Sequence, residues 1–197
     1  MSSEHTTRRE ALRNIALSVT LAGMPADAAQ HVHEHAAEEK QKSGGVYKPK
    51  HFNDHEYATV RRLTELIIPK DEVSGSAVEA GAPEFIDLIA HNNDAIGLRM
   101  TGGLAWLDHH TGKTFLELTP QEQTALLDTI AYRKNASPET SQGVEFFRWI
   151  RRLTADAFYT SPIGIKDVGY VGNKGMTTFQ VPVAAIEYAA KRSGLTN

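Results

Sequence analysis

Nine histidines are spread through this 197-residue chain, and three of them, His31, His33 and His35, alternate in an H-x-H-x-H run. Imidazoles in such a run can take zinc or copper. A metal site also needs a rigid frame and hydrogen-bonded outer partners, and the Ala, Glu, Gln and Lys around these histidines read equally as a solvated polar stretch. His55-Glu56 opens like the zinc-protease motif H-E-x-x-H, but Thr59 stands where the second histidine is required. His109-His110 close a predicted helix, where a cationic side chain faces the negative end of the helix dipole. Asp71-Glu72 could divide acid and base roles. Two neighbours on a loop, with no histidine or metal set beside them, do not converge on one substrate atom, so a structural or interface role is expected. The chain has no Walker A loop, no G-x-G-x-x-G and no G-x-S-x-G elbow. It also has no cysteine, which excludes thiolate-held iron–sulfur clusters, C-x-x-C-H haem attachment and a cysteine nucleophile. The expectation is a chain with no catalytic residue, no metal and no cofactor of its own.

The start of the chain carries an address. Arg8-Arg9 lie in Thr7-Arg8-Arg9-Glu10-Ala11-Leu12-Arg13, ahead of a weakly apolar stretch from Ile15 to Met24 and the small-residue site Ala26-Asp27-Ala28. A basic n-region, a short h-region and an A-x-A site make an export signal, and the adjacent arginines give it the twin-arginine (Tat) form. That route carries folded proteins, so the expected location is the periplasm and the mature chain is expected to begin near Ala29. The h-region falls short of the ~20 apolar residues a membrane span needs. Twenty-one basic against 24 acidic residues give no like-charge block that would point to nucleic acid.

What remains is enough for one domain with a real core. Residues 1–28 read as the signal, 29–51 as a flexible His/Glu/Lys linker too poor in large apolar side chains to order itself, and 52–197 as a helical domain. Tyr57, Val60, Leu63 and Ile67 share one face of a helix over 54–68, stopped by Pro69. A short helix follows Pro83, with Phe85, Ile86 and Ile89 inward. The next runs over 94–110. Thr119-Pro120-Gln121-Glu122 is a capping box with proline at the first helical position, opening a helix to about Asn135. Another starts at Ser137-Pro138-Glu139 and runs to about Tyr159. No strand alternation is evident. The fold class is therefore all-α, one domain of five to six helices, closed by a last helix from Pro182.

Between the last two helices the pattern breaks. Residues 160–179 hold Pro162, Gly164, Gly169, Gly172 and Gly175 but also Ile163, Ile165, Val168, Tyr170 and Val171. An irregular stretch of that length is uncommon unless functional or disordered, and its apolar content suggests a loop packed on something. Trp149 falls on a different face from Phe147, and Tyr159 and Tyr170 flank the loop. Aromatics with a polar handle are enriched at interfaces, so these residues read either as core or as a docking surface.

The order of several segments resembles the gluconate 2-dehydrogenase subunit 3 family. The opening carries Pro69, Asp71 and Glu72 in Leu66-Ile67-Ile68-Pro69-Lys70-Asp71-Glu72, and Gly81, Pro83 and Phe85 in Glu79-Ala80-Gly81-Ala82-Pro83-Glu84-Phe85-Ile86-Asp87. Leu118 to Gln123 and Phe146-Phe147 follow. The close is the strongest part: Phe158-Tyr159-Thr160-Ser161-Pro162-Ile163-Gly164, then Asp167-Val168-Gly169-Tyr170-Val171-Gly172-Asn173. The resemblance implies a non-catalytic small subunit of a sugar or sugar-acid dehydrogenase. Its large subunit would be a flavoprotein of the glucose–methanol–choline type holding FAD, and a multihaem cytochrome c would bring haem c. It also implies that the small subunit supplies the Tat signal for both chains. The expected partner surface is the stretch Ser161–Asn173 with Trp149 and Tyr159. The alternative is a stand-alone exported metal-binding protein using the HVHEH segment.

Overall fold

The structure, a computed structural model, describes residues 26–169 and 181–193. Among the described residues every regular element is helical: α1 (Ala26–Lys42), α2 (Asp54–Ile67), α3 (Ala82–Asn92), α4 (Asp94–His110), α5 (Pro120–Ile130), α6 (Ser141–Tyr159), α7 (Pro162–Asp167) and α8 (Val183–Ser193), with two short 3-10 turns at Phe115–Glu117 and Arg133–Asn135. The all-α expectation holds. No helix among the described residues is long and apolar enough to cross a membrane.

Local chemistry sets the helix starts. Asn53 accepts a hydrogen bond from the Glu56 N–H while Glu56 reaches back to the Asn53 N–H, 2.9 and 3.0 Å, a reciprocal cap that satisfies two free backbone donors. Thr119 and Glu122 do the same for α5. Asn93 caps α4 through the Ile96 N–H. Gly81, at φ +81°, turns the chain into α3 in a left-handed conformation that suits glycine, and Pro83 occupies the first turn behind it. α5 stops at Ile130, short of the expected Asn135, because residues 133–135 tighten into a 3-10 turn. Residues 137–140 form a turn in which the Ser137 and Thr140 hydroxyls and N–H groups bond each other, so α6 opens at Ser141 and not at Pro138.

α3 and α6 form the centre. α3 packs against α1, α2, α4 and α6, and α6 also receives α2, α4, α5 and α7. Phe85, Ile86, Leu63, Met100, Leu104, Ile150 and Leu153 have at most 1 % of their surface exposed. Nearly all of α3 is buried, as befits a helix sheathed on several sides.

The N-terminal part corrects the sequence reading. Residues 29–51 are not a flexible linker ahead of a domain that begins at 52. Residues 26–42 are the helix α1, and Ala29 and Val32 have no exposed surface. Ala29, Val32 and Ala36 recur at helical spacing and form a narrow stripe of small apolar groups that lets α1 approach α3 closely. The segment after it is pinned by Asp87, itself fully buried. Its carboxylate accepts from the Tyr47 hydroxyl at 2.8 Å and from the Lys50, His51 and Phe52 N–H groups at 2.7, 3.0 and 3.0 Å. At the end of α1, Glu39 pairs with Lys42 and Lys50 at 2.8 and 2.5 Å. Their hydrogen bonds, Lys42 first, hold its carboxyl down at about 2.

Candidate partner interface

The helix α7 is the second correction: residues 162–167, expected to be irregular, form a helical turn and a half. Ser161, fully buried, makes it. Its hydroxyl donates to the Phe158 carbonyl at 2.7 Å and accepts from the Gly164 N–H at 3.1 Å, which caps the new helix where α6 ends. Pro162 takes the first position. Gly164 lies against α6, and a Cβ there would come within 2.1 Å of the Phe158 carbonyl oxygen, so only glycine permits this contact.

This junction sorts the expected interface residues. Ile163 packs toward the core, whereas Ile165 and Val168 face outward, Val168 with 58 % of its surface exposed. Tyr159 is half-exposed and sets its ring edge-on to Phe158. Gly169 takes φ +64° at the end of α7. Trp149 does not join this group. It is buried, and ten residues before Tyr159 on α6 it sits roughly 15 Å along the axis. Tyr170, Gly172 and Asn173, and the signal arginines Arg8 and Arg9, lie outside the described residues.

Beside α7 runs an open groove of about 920 Å³, walled by α1, the turn at 78–81 and α7. His33 lies along it. Its Nε2 is 3.1 Å from the Thr160 hydroxyl and its ring is 5.0 Å from that of Phe85. Burial outweighs a backbone contact to Ala157 and pushes the imidazole below its ordinary 6.5. Because successive helix positions turn by about 100°, His33 lies across α1 from His31 and His35. His31, largely exposed, pairs with Glu34 at 3.5 Å. One helix therefore does not bring all three imidazoles to one ion.

The other polar candidates have structural duties. Asp71 accepts from the Val73 and Ser74 N–H groups at 2.8 and 2.7 Å. These bonds, Ser74 first, hold its carboxyl below the usual range and shape the loop after Pro69. Glu72 is exposed beside it. Phe85 is core. His55 pairs with Asp108 at 2.7 Å. His109 meets the Ala105 carbonyl at 2.7 Å, and His110 stacks on Trp106.

Three features escaped the sequence. Asp87 carries no motif beyond its place in the Glu84–Asp87 run. Glu84 and Tyr57 each bury an oxygen that has no hydrogen-bond partner among the described residues, and burial pushes the Tyr57 phenol up. The third is α8. It is helical as expected, yet none of its residues is buried. Val183, Ile186 and Tyr188 expose 69, 54 and 63 % of their surfaces.

These features define a small all-helical protein with a packed core and a last described helix, α8, whose apolar side chains are exposed. The sequence pattern described as Gluconate 2-dehydrogenase subunit 3 matches residues 54–177, more than half of the chain, and the chain belongs to that family. The description is that of one subunit of a gluconate dehydrogenase complex. No curated protein and no solved structure matches. α1 and α8 both fall outside the matched range.

Proposed function

We propose that this chain is the non-catalytic small subunit of a periplasmic, flavin-dependent sugar or sugar-acid dehydrogenase such as gluconate 2-dehydrogenase. In this reading it binds and stabilises a large subunit of the glucose–methanol–choline type and supplies its twin-arginine signal. FAD resides in that partner, and haem c in a multihaem cytochrome where one joins. The observation that carries the reading is the exposed apolar surface of α7 and α8, on a chain whose family is one of subunits. Isolated helices of about 11 residues are marginal in water, and α8, with its apolar side chains exposed, would be stabilised by a partner surface. The polar residues Asp71, Asp87 and Glu122, by contrast, are engaged in turns, clasps and caps.

The export role is tested by replacing Arg8 and Arg9 with lysine. The large subunit is then expected to remain in the cytoplasm with its FAD bound, and undiminished flavoprotein activity in the periplasm would reject the role. The alternative of a metal-binding protein built on HVHEH requires His31, His33 and His35 to converge. The placement of His33 against Thr160 and Phe85 favours a structural role for that residue instead.

A further inference from the structure

The face of α6 and α4 around Trp149 is unlike the rest of the surface. Three guanidiniums lie over the one indole: Arg99 from α4 at 5.0 Å from the ring centroid, Arg148 at 5.3 Å and Arg152 at 5.9 Å. The ring beneath them is 8 % exposed, and its Nε1 has no hydrogen-bond partner among the described residues. Guanidinium groups stack on aromatic faces, so the three cations are held in place and not free to wander through solvent.

Charge on this face is unbalanced. Glu145 accepts two hydrogen bonds from Arg148, at 3.2 and 2.9 Å, and Arg133 and Arg99 also bear on it. Asp156 lies 3.7 Å from Arg152, so two carboxylates, Glu145 and Asp156, stand against the three guanidiniums. Arg99 is exposed and among the described residues donates no hydrogen bond. A local excess of positive charge thus stands on a chain whose formal net charge is −3. Leu98, the neighbour of Arg99 on α4, is 77 % exposed.

The geometry points to a docking site for a carboxylate-bearing segment of the dehydrogenase's large subunit, seated on Arg99, Arg148 and Arg152 over Trp149; this rests on the small-subunit reading above. A guanidinium fork matches a carboxylate two bonds at a time. Tryptophan and arginine are the residue types that dominate binding energy at protein interfaces. Prior stacking on the indole removes part of the entropy cost of ordering long side chains on binding. The site is compact, with acidic residues interleaved, which suits one or two carboxylates better than the extended anionic surface of a membrane.

The test uses the full chain co-expressed with its FAD subunit, with affinity measured at low and high salt. R99E/R148E/R152E is expected to weaken the complex about 100-fold and to flatten its salt dependence, while Lys113→Glu, outside the cluster, leaves it unchanged. Circular dichroism checks the fold of the triple variant. If that variant does not fold, Arg99→Gln, which costs no hydrogen bond, is expected to weaken the complex about tenfold at an unaltered melting temperature. Unchanged affinity in whichever folded variant is measured overturns this inference and leaves the small-subunit reading standing. Loss of binding to vesicles of anionic phosphatidylglycerol, with the protein complex intact, overturns it in favour of a lipid surface. Failure of the wild-type chain to bind any FAD subunit overturns both readings.

Discussion

Helices α1 and α8 flank the family-matched core at its two ends, and they relate to it in opposite ways. α1 is rich in Gln, Glu, His and Lys, yet it buries Ala29, Val32 and Ala36 and is clasped at its far end. α8 displays Val183, Ile186 and Tyr188, yet buries nothing. Total apolar content does not decide which helix docks. What decides is a stripe narrow and small enough to approach α3, reinforced by polar contacts that fix the chain on leaving the helix. α8 has the apolar groups but meets no matching surface among the described residues.

The largest expected effect comes from cutting the clasp that holds α1's connection. Asp87→Ala removes the acceptor for the Tyr47 hydroxyl and three backbone N–H groups. Leaving these donors buried without partners costs about 4 kcal/mol, measured by urea denaturation. A loss below about 1 kcal/mol would mean that the segment 47–52 is held by something other than this carboxylate.

The contrast itself is broken or sharpened by placing the same charge on each helix. Val32→Asp puts a carboxylate where no surface is exposed and is expected to cost about 3 kcal/mol. The cost is capped by the free energy of undocking α1, so proteolysis of residues 26–50 should rise before the core melts. Ile186→Asp on α8 is expected to change the stability of the free chain by less than about 0.5 kcal/mol while weakening the complex with the large subunit. Equal destabilisation by the two substitutions would dissolve the distinction drawn between the helices.

Much of the core was legible in the sequence because its signals are local. The capping box at Thr119, the proline stops and the 3.6-residue periodicity each act within a few residues. The bounds of α2 and α4 follow directly. The docking of α1 was not legible, because alanine and valine at positions 29, 32 and 36 carry little weight until the surface of α3 is known. α7 was hidden by its composition: glycine and proline read as helix breakers, but here Pro162 sits at a first turn and Gly164 permits contact with α6. At the candidate interface, the sequence put both Tyr159 and Trp149 on a docking surface; Tyr159 is half-exposed, whereas Trp149 is buried beneath arginines drawn from two helices. An indole reads the same in sequence whether it meets a partner's side chains or its own.

The smallest effect expected is a pH dependence, and it separates α1 from α8 without any substitution on α8. His33 faces the Thr160 hydroxyl, the Ala157 carbonyl and the Phe85 ring. The charged groups along its groove are Glu34 and Lys40 of α1, Glu79 in the turn before α3, Glu84 of α3, and Lys166 of α7. Its imidazole is held below the ordinary 6.5 mainly by burial. Above that value the ring is neutral whether α1 is docked or free, and docking has its full strength. As pH falls below it, the free helix takes up a proton that the docked one resists, so docking weakens until the lowered folded-state value is passed. Hydrogen exchange in α1 should therefore speed up relative to α3 between pH about 7.5 and about 5.5. His33→Gln keeps a partner for Thr160 but cannot titrate, and should remove that difference. Exchange in α8, which no buried histidine holds, should show no such relative change. If α1 and α8 respond alike, His33 is not what ties α1 to the body.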